Sequence, residues 1–154
     1  MNKYMVLVFL IAEFSCNNIG NNNPRISYKT SGTHENCELI KSKMNTAYKK
    51  DDYQKALYFL QQLVQFDSTN GEYYYKIGYC ESGLLNTQKS TDAYNKAIKF
   101  NYRVVDATFN IGTNYLTVDD SLARIYFETC LAIDSNYESA KIQLMVIAQR
   151  NRKK

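Results

Sequence analysis

Few side chains in this 154-residue sequence combine a catalytic residue type with a spacing that is typical of catalysis. His34 is the one histidine, so a serine or cysteine nucleophile would depend on a base that lies outside the regularly patterned part of the chain. Asp51–Asp52 and Asp119–Asp120 each precede an apolar segment, which favours helix caps over acid–base pairs. Phosphate-binding glycine loops, zinc-protease motifs and nucleophile elbows do not occur in the sequence. We therefore predict a protein that is not an enzyme and uses no cofactor.

The four cysteines are the remaining candidates for reactive or metal-binding roles. They form no CxxC pair and the chain has one histidine, so the sequence predicts no metal site. Cys80 and Cys130 fall at positions where small apolar side chains are expected, which favours buried free thiols. A disulfide bond between these two residues is the alternative, because an oxidising compartment would permit it.

An export signal precedes the first cysteine, Cys16. The eight apolar residues 5–12 are too few to span a bilayer, which takes about 20, but they are typical of a secretory signal. A cysteine soon after such a segment resembles the lipobox of bacterial lipoproteins, from which Glu13 and Phe14 depart. The resemblance implies a signal peptide at 1–15 and lipidation of Cys16, hence anchoring to a membrane of the bacterial cell envelope. A soluble secreted protein and an uncleaved anchor are the alternatives.

The segment after Cys16 and the end of the chain are both strongly polar. Residues 16–35 are rich in Asn, Ser, Thr and Gly, and we expect them to form a flexible tether. The net charge is +4, and the positive residues cluster only at 150–154. Such a run is typical of a solvated helix end that complements the helix dipole, so we predict no nucleic-acid partner.

Two glycines, Gly78 and Gly112, stand in the same sequence frame and indicate how the rest of the chain is built. Each follows an isoleucine, and Met44 precedes Gly78 by the same interval that separates the two glycines. Glycine inside a helix costs about 0.5–1 kcal/mol relative to alanine, so its repetition indicates close contact between helices. The interval, a period of about 34, is typical of stacked helical hairpins.

The repeated unit resembles the tetratricopeptide repeat (TPR), whose pattern is W-x2-L-G-x2-Y, then A-x3-F, then P. No copy has the family's tryptophan or proline. The resemblance implies an all-α fold, an α-solenoid of three TPR units and a C-terminal capping helix. The TPR domain would span 36–151, with repeats at about 37–70, 71–104 and 105–137 and the capping helix at 138–151. The three copies contain Ile40, Met44, Ala56, Leu60 and Leu63; Tyr74, Gly78, Ser90, Tyr94 and Ala97; and Thr108, Gly112, Ala123, Phe127 and Cys130.

Local signals predict where these helices begin. Asp51–Asp52, Asn86–Thr87 and Asp119–Asp120 stand before the second helix of each unit. Ser135, with Glu138 three residues later, predicts a capping box for the last helix. We expect four tyrosines to pack between helices: Tyr73, Tyr74, Tyr94 and Tyr126.

In the TPR family the first helix of each unit lines a groove that binds an extended peptide or a helix. Carried over position by position, the resemblance implies a partner-binding groove with aromatic and apolar side chains, which suit recognition. A TPR clamp for a partner's terminal carboxylate is not predicted, because Asp106 stands where that clamp has a lysine. The predicted groove residues are Lys41, Asn45, Tyr48 and Lys49; Glu72, Tyr75, Tyr79 and Ser82; and Asp106, Phe109, Thr113 and Leu116.

The sequence thus predicts a non-enzymatic scaffold or adaptor, tethered to a membrane, that binds a protein or peptide of unknown identity. The alternative is a structural subunit of an envelope complex that associates through its convex face or C-terminal helix. A binding protein for a small molecule or glycan is a third hypothesis, but it would need a closed pocket.

Overall fold

The computed structural model describes residues 30–152, with side chains from His34 onward, and this part of the chain is helical without strands. The predictions for the signal peptide and for Cys16 lie outside the described residues. The helices are α1 (Thr30–Lys49), α2 (Tyr53–Phe66), α3 (Gly71–Gly83), α4 (Thr87–Lys99), α5 (Val104–Tyr115), α6 (Asp120–Ile133) and α7 (Glu138–Asn151).

The helices stack in chain order. α1 with α2, α3 with α4, and α5 with α6 form hairpins, and the second helix of each hairpin packs against the first helix of the next. α7 packs on α6. The prediction of an all-α solenoid is confirmed. α1 begins at Thr30, inside the stretch that we predicted as tether, because polar residues are compatible with a helical turn as well as with a loop.

Two of the predicted helix starts have the expected caps. The Asp52 side chain accepts a hydrogen bond from the Lys55 backbone N–H, and Asp119 accepts two, from the backbone N–H groups of Ser121 and Leu122. The α4 start at Thr87 agrees with the prediction, although Asn86 makes no side-chain cap bond.

The predicted capping box at Ser135 is wrong. α7 begins one residue after Tyr137, which has the N-cap position and no side-chain cap bond. The Asp134 carboxylate accepts a hydrogen bond from the Asn136 N–H at 2.9 Å, so a turn centred on Asp134 sets the entry into α7. Glu138 instead forms an ion pair with Lys141 at 2.7 Å.

The repeated glycines are close-contact points, as predicted. A Cβ atom at Gly78 would lie 2.7 Å from the ring of Tyr94, and one at Gly112 would lie 2.7 Å from the ring of Phe127. Both rings are buried in the second helix of the same unit. The absence of a side chain therefore allows each hairpin to close on an aromatic ring.

Cys80 and Cys130 behave as small apolar side chains. Both are fully buried and their thiols are free, so the alternative of a bond between them does not hold. Burial raises the pKa of the Cys80 thiol to about 12 and that of Cys130 to about 11. Both thiols are therefore protonated at neutral pH and unreactive in the folded protein.

Candidate interaction face

The first helices α1, α3 and α5 form one side of the solenoid, together with α7. We call the surface made by their predicted groove residues and the side chains bonded to them the odd-helix face. Its side chains contact each other across every helix boundary.

At the boundary between α1 and α3, three predicted groove residues lie together: Asn45, Tyr48 and Tyr79. The rings of Tyr48 and Tyr79 are 5.2 Å apart, and the ring of Tyr53, at the start of α2, is 6.0 Å from that of Tyr79. The Lys76 ammonium donates a hydrogen bond to Asn45 Oδ1 at 3.2 Å and lies 5.6 Å from the centre of the Tyr48 ring. Tyr79 remains 39% exposed, so this aromatic cluster is open to solvent.

At the boundary between α3 and α5, Tyr75 is held from two sides. Asn110 Nδ2 donates a hydrogen bond to Tyr75 Oη at 3.0 Å. The Arg103 guanidinium lies 4.9 Å above the ring, a cation–π contact, and its Nε donates to Asp106 Oδ2 at 2.9 Å. The bond to Asp106 raises the pKa of Arg103, and burial raises the pKa of Tyr75.

At the boundary between α5 and α7, Asp106 also accepts a hydrogen bond from Tyr137 at 2.8 Å, through Oδ1. Both oxygens of this carboxylate are therefore bonded inside the protein. The ring of Phe109 lies 5.4 Å from the rings of Phe127 and Tyr137, so Phe109 is partly buried in the apolar core.

The structure places the remaining predicted residues at the edges of the face. Lys41 is half-buried and pairs with Glu38 at 2.9 Å. Lys49 and Thr113 are exposed, whereas Leu116 is partly buried against the core. A binding role stays a prediction for the whole set.

Behind the face, a polar network joins three helices. The buried Ser90 hydroxyl donates to the Gly78 carbonyl oxygen at 2.8 Å. Asn114 Nδ2 donates to Ser90 Oγ at 2.7 Å, and Ser82 Oγ donates to Asn114 Oδ1 at 2.5 Å. Ser82, which we predicted in the groove, is therefore bonded between α3 and α5. The network fixes the spacing of these two helices.

The charges of the odd-helix face are locally balanced. Each of its four helices has, within the helix or at its N-cap, an ion pair between residues three or four positions apart, and this pairing shortens the reach of the electric field. A strongly charged ligand would have to compete with these internal partners. The pairs are Glu38–Lys41, Glu72–Lys76, Arg103–Asp106 and Glu138–Lys141.

Sequence reasoning missed several residues of this face. Arg103 precedes α5 in the left-handed conformation (φ 43°), a backbone state that no local motif predicted. Two more residues of the face could have been found by aligning α7 with α5 at a spacing of 33 residues, one fewer than the interval between Gly78 and Gly112. Ile142 and Val146 then align with Phe109 and Thr113. These α7 side chains are exposed and extend the face past α5.

The exposed side chains of the odd-helix face are of types that suit recognition. Within 30–152, no three His, Cys, Asp or Glu side chains come together as a metal site. The exposed part of the face combines aromatic rings, aliphatic side chains and paired charges, a composition that suits an amphipathic peptide or helix.

Comparison with solved structures shows the fold. No protein-family model and no curated protein matches the chain. The TPR domain of Arabidopsis OM64 is 24% identical, with a TM-score of 0.66 over 75% of this chain and 97% of that one. The Yersinia enterocolitica secretion chaperone SycD, solved with a peptide of the translocator YopD, is 14% identical, with a TM-score of 0.67 over 76% and 95%.

A third structure has a similar likeness. The second TPR domain of human RPAP3, solved with the HSP70 peptide SGPTIEEVD, is 18% identical, with a TM-score of 0.65 over 75% of this chain and 97% of that one. At these identities the likeness concerns the fold, and the chain has the fold of TPR domains.

Proposed function

We propose that this protein is a non-enzymatic interaction scaffold that binds a peptide or helix of a protein partner on the odd-helix face. The observation that supports the proposal most is the set of bonds across successive first helices: Asn45 to Lys76, Tyr75 to Asn110 and Asp106 to Tyr137. They hold the face in one conformation before a ligand arrives, which lowers the entropy cost of binding.

The kind of ligand follows from the exposed side chains. Tyr79 and its neighbours offer an aromatic surface at one end of the face, and Val146 offers an aliphatic one at the other. Since the intervening charges are paired, we expect a segment with apolar anchors and modest net charge. Three of the similar solved structures contain bound peptides, which agrees with this use of the fold.

Alanine at Tyr79 is expected to weaken peptide binding at least about tenfold, because an exposed tyrosine anchor contributes on the order of 2 kcal/mol. Peptides would first be selected from a random phage-displayed library on the full chain, and their affinities measured by fluorescence anisotropy. Tyr58→Ala is the matched control, since Tyr58 is an exposed tyrosine on α2.

The comparison of the two variants shows whether binding depends on the odd-helix face. Loss of affinity in Tyr79→Ala alone supports the proposed face, provided that the circular dichroism spectrum is unchanged. Equal affinities in both variants, or loss only in Tyr58→Ala, would contradict it. Tyr75 is less suitable for the test, because its ring also packs against Tyr94 in the core.

We further propose that the scaffold is exported and attached to the bacterial cell envelope through a lipid on Cys16. The apolar residues 5–12 and the cysteine that follows support this proposal. None of the helices between residues 30 and 152 is long and apolar enough to cross a bilayer.

Cells that express the wild-type chain and are fed an alkyne fatty acid should yield a labelled protein in the membrane fraction. Cys16→Ser should abolish the label, since the thiol is the predicted acylation site. A wild-type protein without label would contradict the lipid anchor and leave the binding proposal intact. Cys130→Ser serves as the control, because that thiol is buried.

A further inference from the structure

α7 presents a face with exposed apolar side chains at its centre that no other described helix covers. Ala140 and Ile147 are fully buried on one side of this helix, whereas Ile142 is 55% and Met145 62% exposed on the other. The alignment of α7 with α5 pairs Met145 with Gly112, the position where α5 meets Phe127 of α6. Within residues 30–152, α7 is thus a first helix without the second helix that every earlier unit has.

The residues of this face have a regular spacing. Glu138, Ile142, Met145, Gln149 and Arg152 follow one another at alternating steps of four and three positions, and all five are exposed. An alternation of three and four is the spacing by which one helix packs along another. Glu138 and Arg152, an acidic and a basic residue, lie seven positions before and seven positions after Met145, whereas Ile142 lies three before and Gln149 four after it.

We propose that two copies of this chain associate through α7, with the two helices antiparallel and centred on Met145. A two-fold axis at this residue places Met145 against Met145 of the second copy, and Ile142 within one residue of the level of Gln149. The same axis places Glu138 of each copy beside Arg152 of the other. This arrangement therefore joins two apolar side chains at the centre and opposite charges at both ends.

Charge and geometry favour a second copy in this orientation. A parallel pair would place Glu138 beside Glu138 and Arg152 beside Arg152, so like charges would repel each other at both ends. In each hairpin of this protein the second helix runs antiparallel to the first, because the connections are short. α7 of the second copy would thus occupy, relative to α7, the place that α6 has relative to α5.

Association is tested with the full chain by sedimentation velocity over a wide range of concentrations. We expect a reversible monomer–dimer equilibrium that weakens at least about tenfold in Met145→Glu, since two carboxylates would meet at the centre. Ile125→Glu is the matched control, because Ile125 on α6 is 56% exposed and lies off the seam. This variant should associate as the wild type does.

Two charge reversals test the register. Glu138→Arg and Arg152→Glu should each weaken the dimer, and the double variant should restore it to within about twofold of the wild type. Circular dichroism checks that each variant is folded. Met145→Cys should also form a covalent dimer on mild oxidation, whereas Ile125→Cys should not.

Several results would overturn the proposal. They are a wild-type monomer at every concentration, a dimer that Met145→Glu leaves intact, and a double charge reversal that fails to restore association. If the face were covered by residues 1–29 of its own chain, the wild type would be monomeric and Met145→Cys would not crosslink. Binding to the odd-helix face at Tyr79 does not depend on any of these results.

Discussion

Leucine at Gly78 is expected to lower the free energy of unfolding by more than about 3 kcal/mol, a large part of the roughly 5–15 kcal/mol that is typical of a domain. A single Cβ atom there would already lie 2.7 Å from the ring of Tyr94. That ring is only 1% exposed and has no room to move away. Overpacking a filled core costs about 1–3 kcal/mol for small additions, and leucine adds four carbon atoms. Urea unfolding followed by circular dichroism measures the loss.

A double-mutant cycle identifies the ring as the cause. Gly78→Ala should destabilise the wild-type protein because its methyl group meets Tyr94. In a Tyr94→Leu background the same change should become neutral or stabilising, since alanine is favoured over glycine in helices by about 0.5–1 kcal/mol. If Gly78→Ala cost the same in both backgrounds, the contact with Tyr94 would not explain the glycine.

A rise in pH from about 9 to about 12 is expected to destabilise the fold progressively. Burial raises the pKa of Cys80 to about 12 and that of Cys130 to about 11, from the usual 9.0. It also raises the pKa of Tyr94 and Tyr48. The folded protein therefore keeps protons that the unfolded chain releases, so the stability is complete below about pH 9 and declines above it.

The contribution of each group is measured from the slope of the free energy of unfolding against pH. Each group contributes up to about 1.4 kcal/mol per pH unit between its unfolded and folded pKa values. Urea unfolding at several pH values should show a shallower decline for Cys80→Ala than for the wild type, whatever its stability at pH 7. Identical slopes in the two proteins would show that the Cys80 thiol does not contribute.

Much of the fold could be predicted because the responsible interactions are local or periodic. Asp52 and Asp119 cap helices through backbone groups two or three residues away, so their roles follow from the neighbouring sequence. Gly78 and Gly112 share a frame that recurs from one hairpin to the next, which no single helix would need. The placement of Ser135 failed because Asp134, one residue earlier, offers a competing carboxylate to the same turn.

The site was less predictable because its side chains meet only after the helices have stacked. Tyr137 reaches Asp106 across 31 residues, and Arg150 reaches Asp120 at 3.1 Å from the far end of α7. The sequence places Arg150 in a solvated basic end, since nothing near it in the chain is acidic. The resemblance predicted the arrangement of the helices, whereas the partners of each side chain depend on the packing between units.

The polar network behind the face also implies that the units cannot change places. One repeat earlier, the positions equivalent to Asn114, Ser90 and Gly78 are held by Cys80, Ala56 and Met44, which are all buried and apolar. These buried positions of the first junction therefore carry no hydroxyl or amide groups, whereas those of the second junction are joined by hydrogen bonds. A chain with its first and second hairpins exchanged would leave the partly buried Asn114 amide without its Ser90 partner. The contact surfaces of the hairpins thus specify their order, which does not depend on the connecting loops alone.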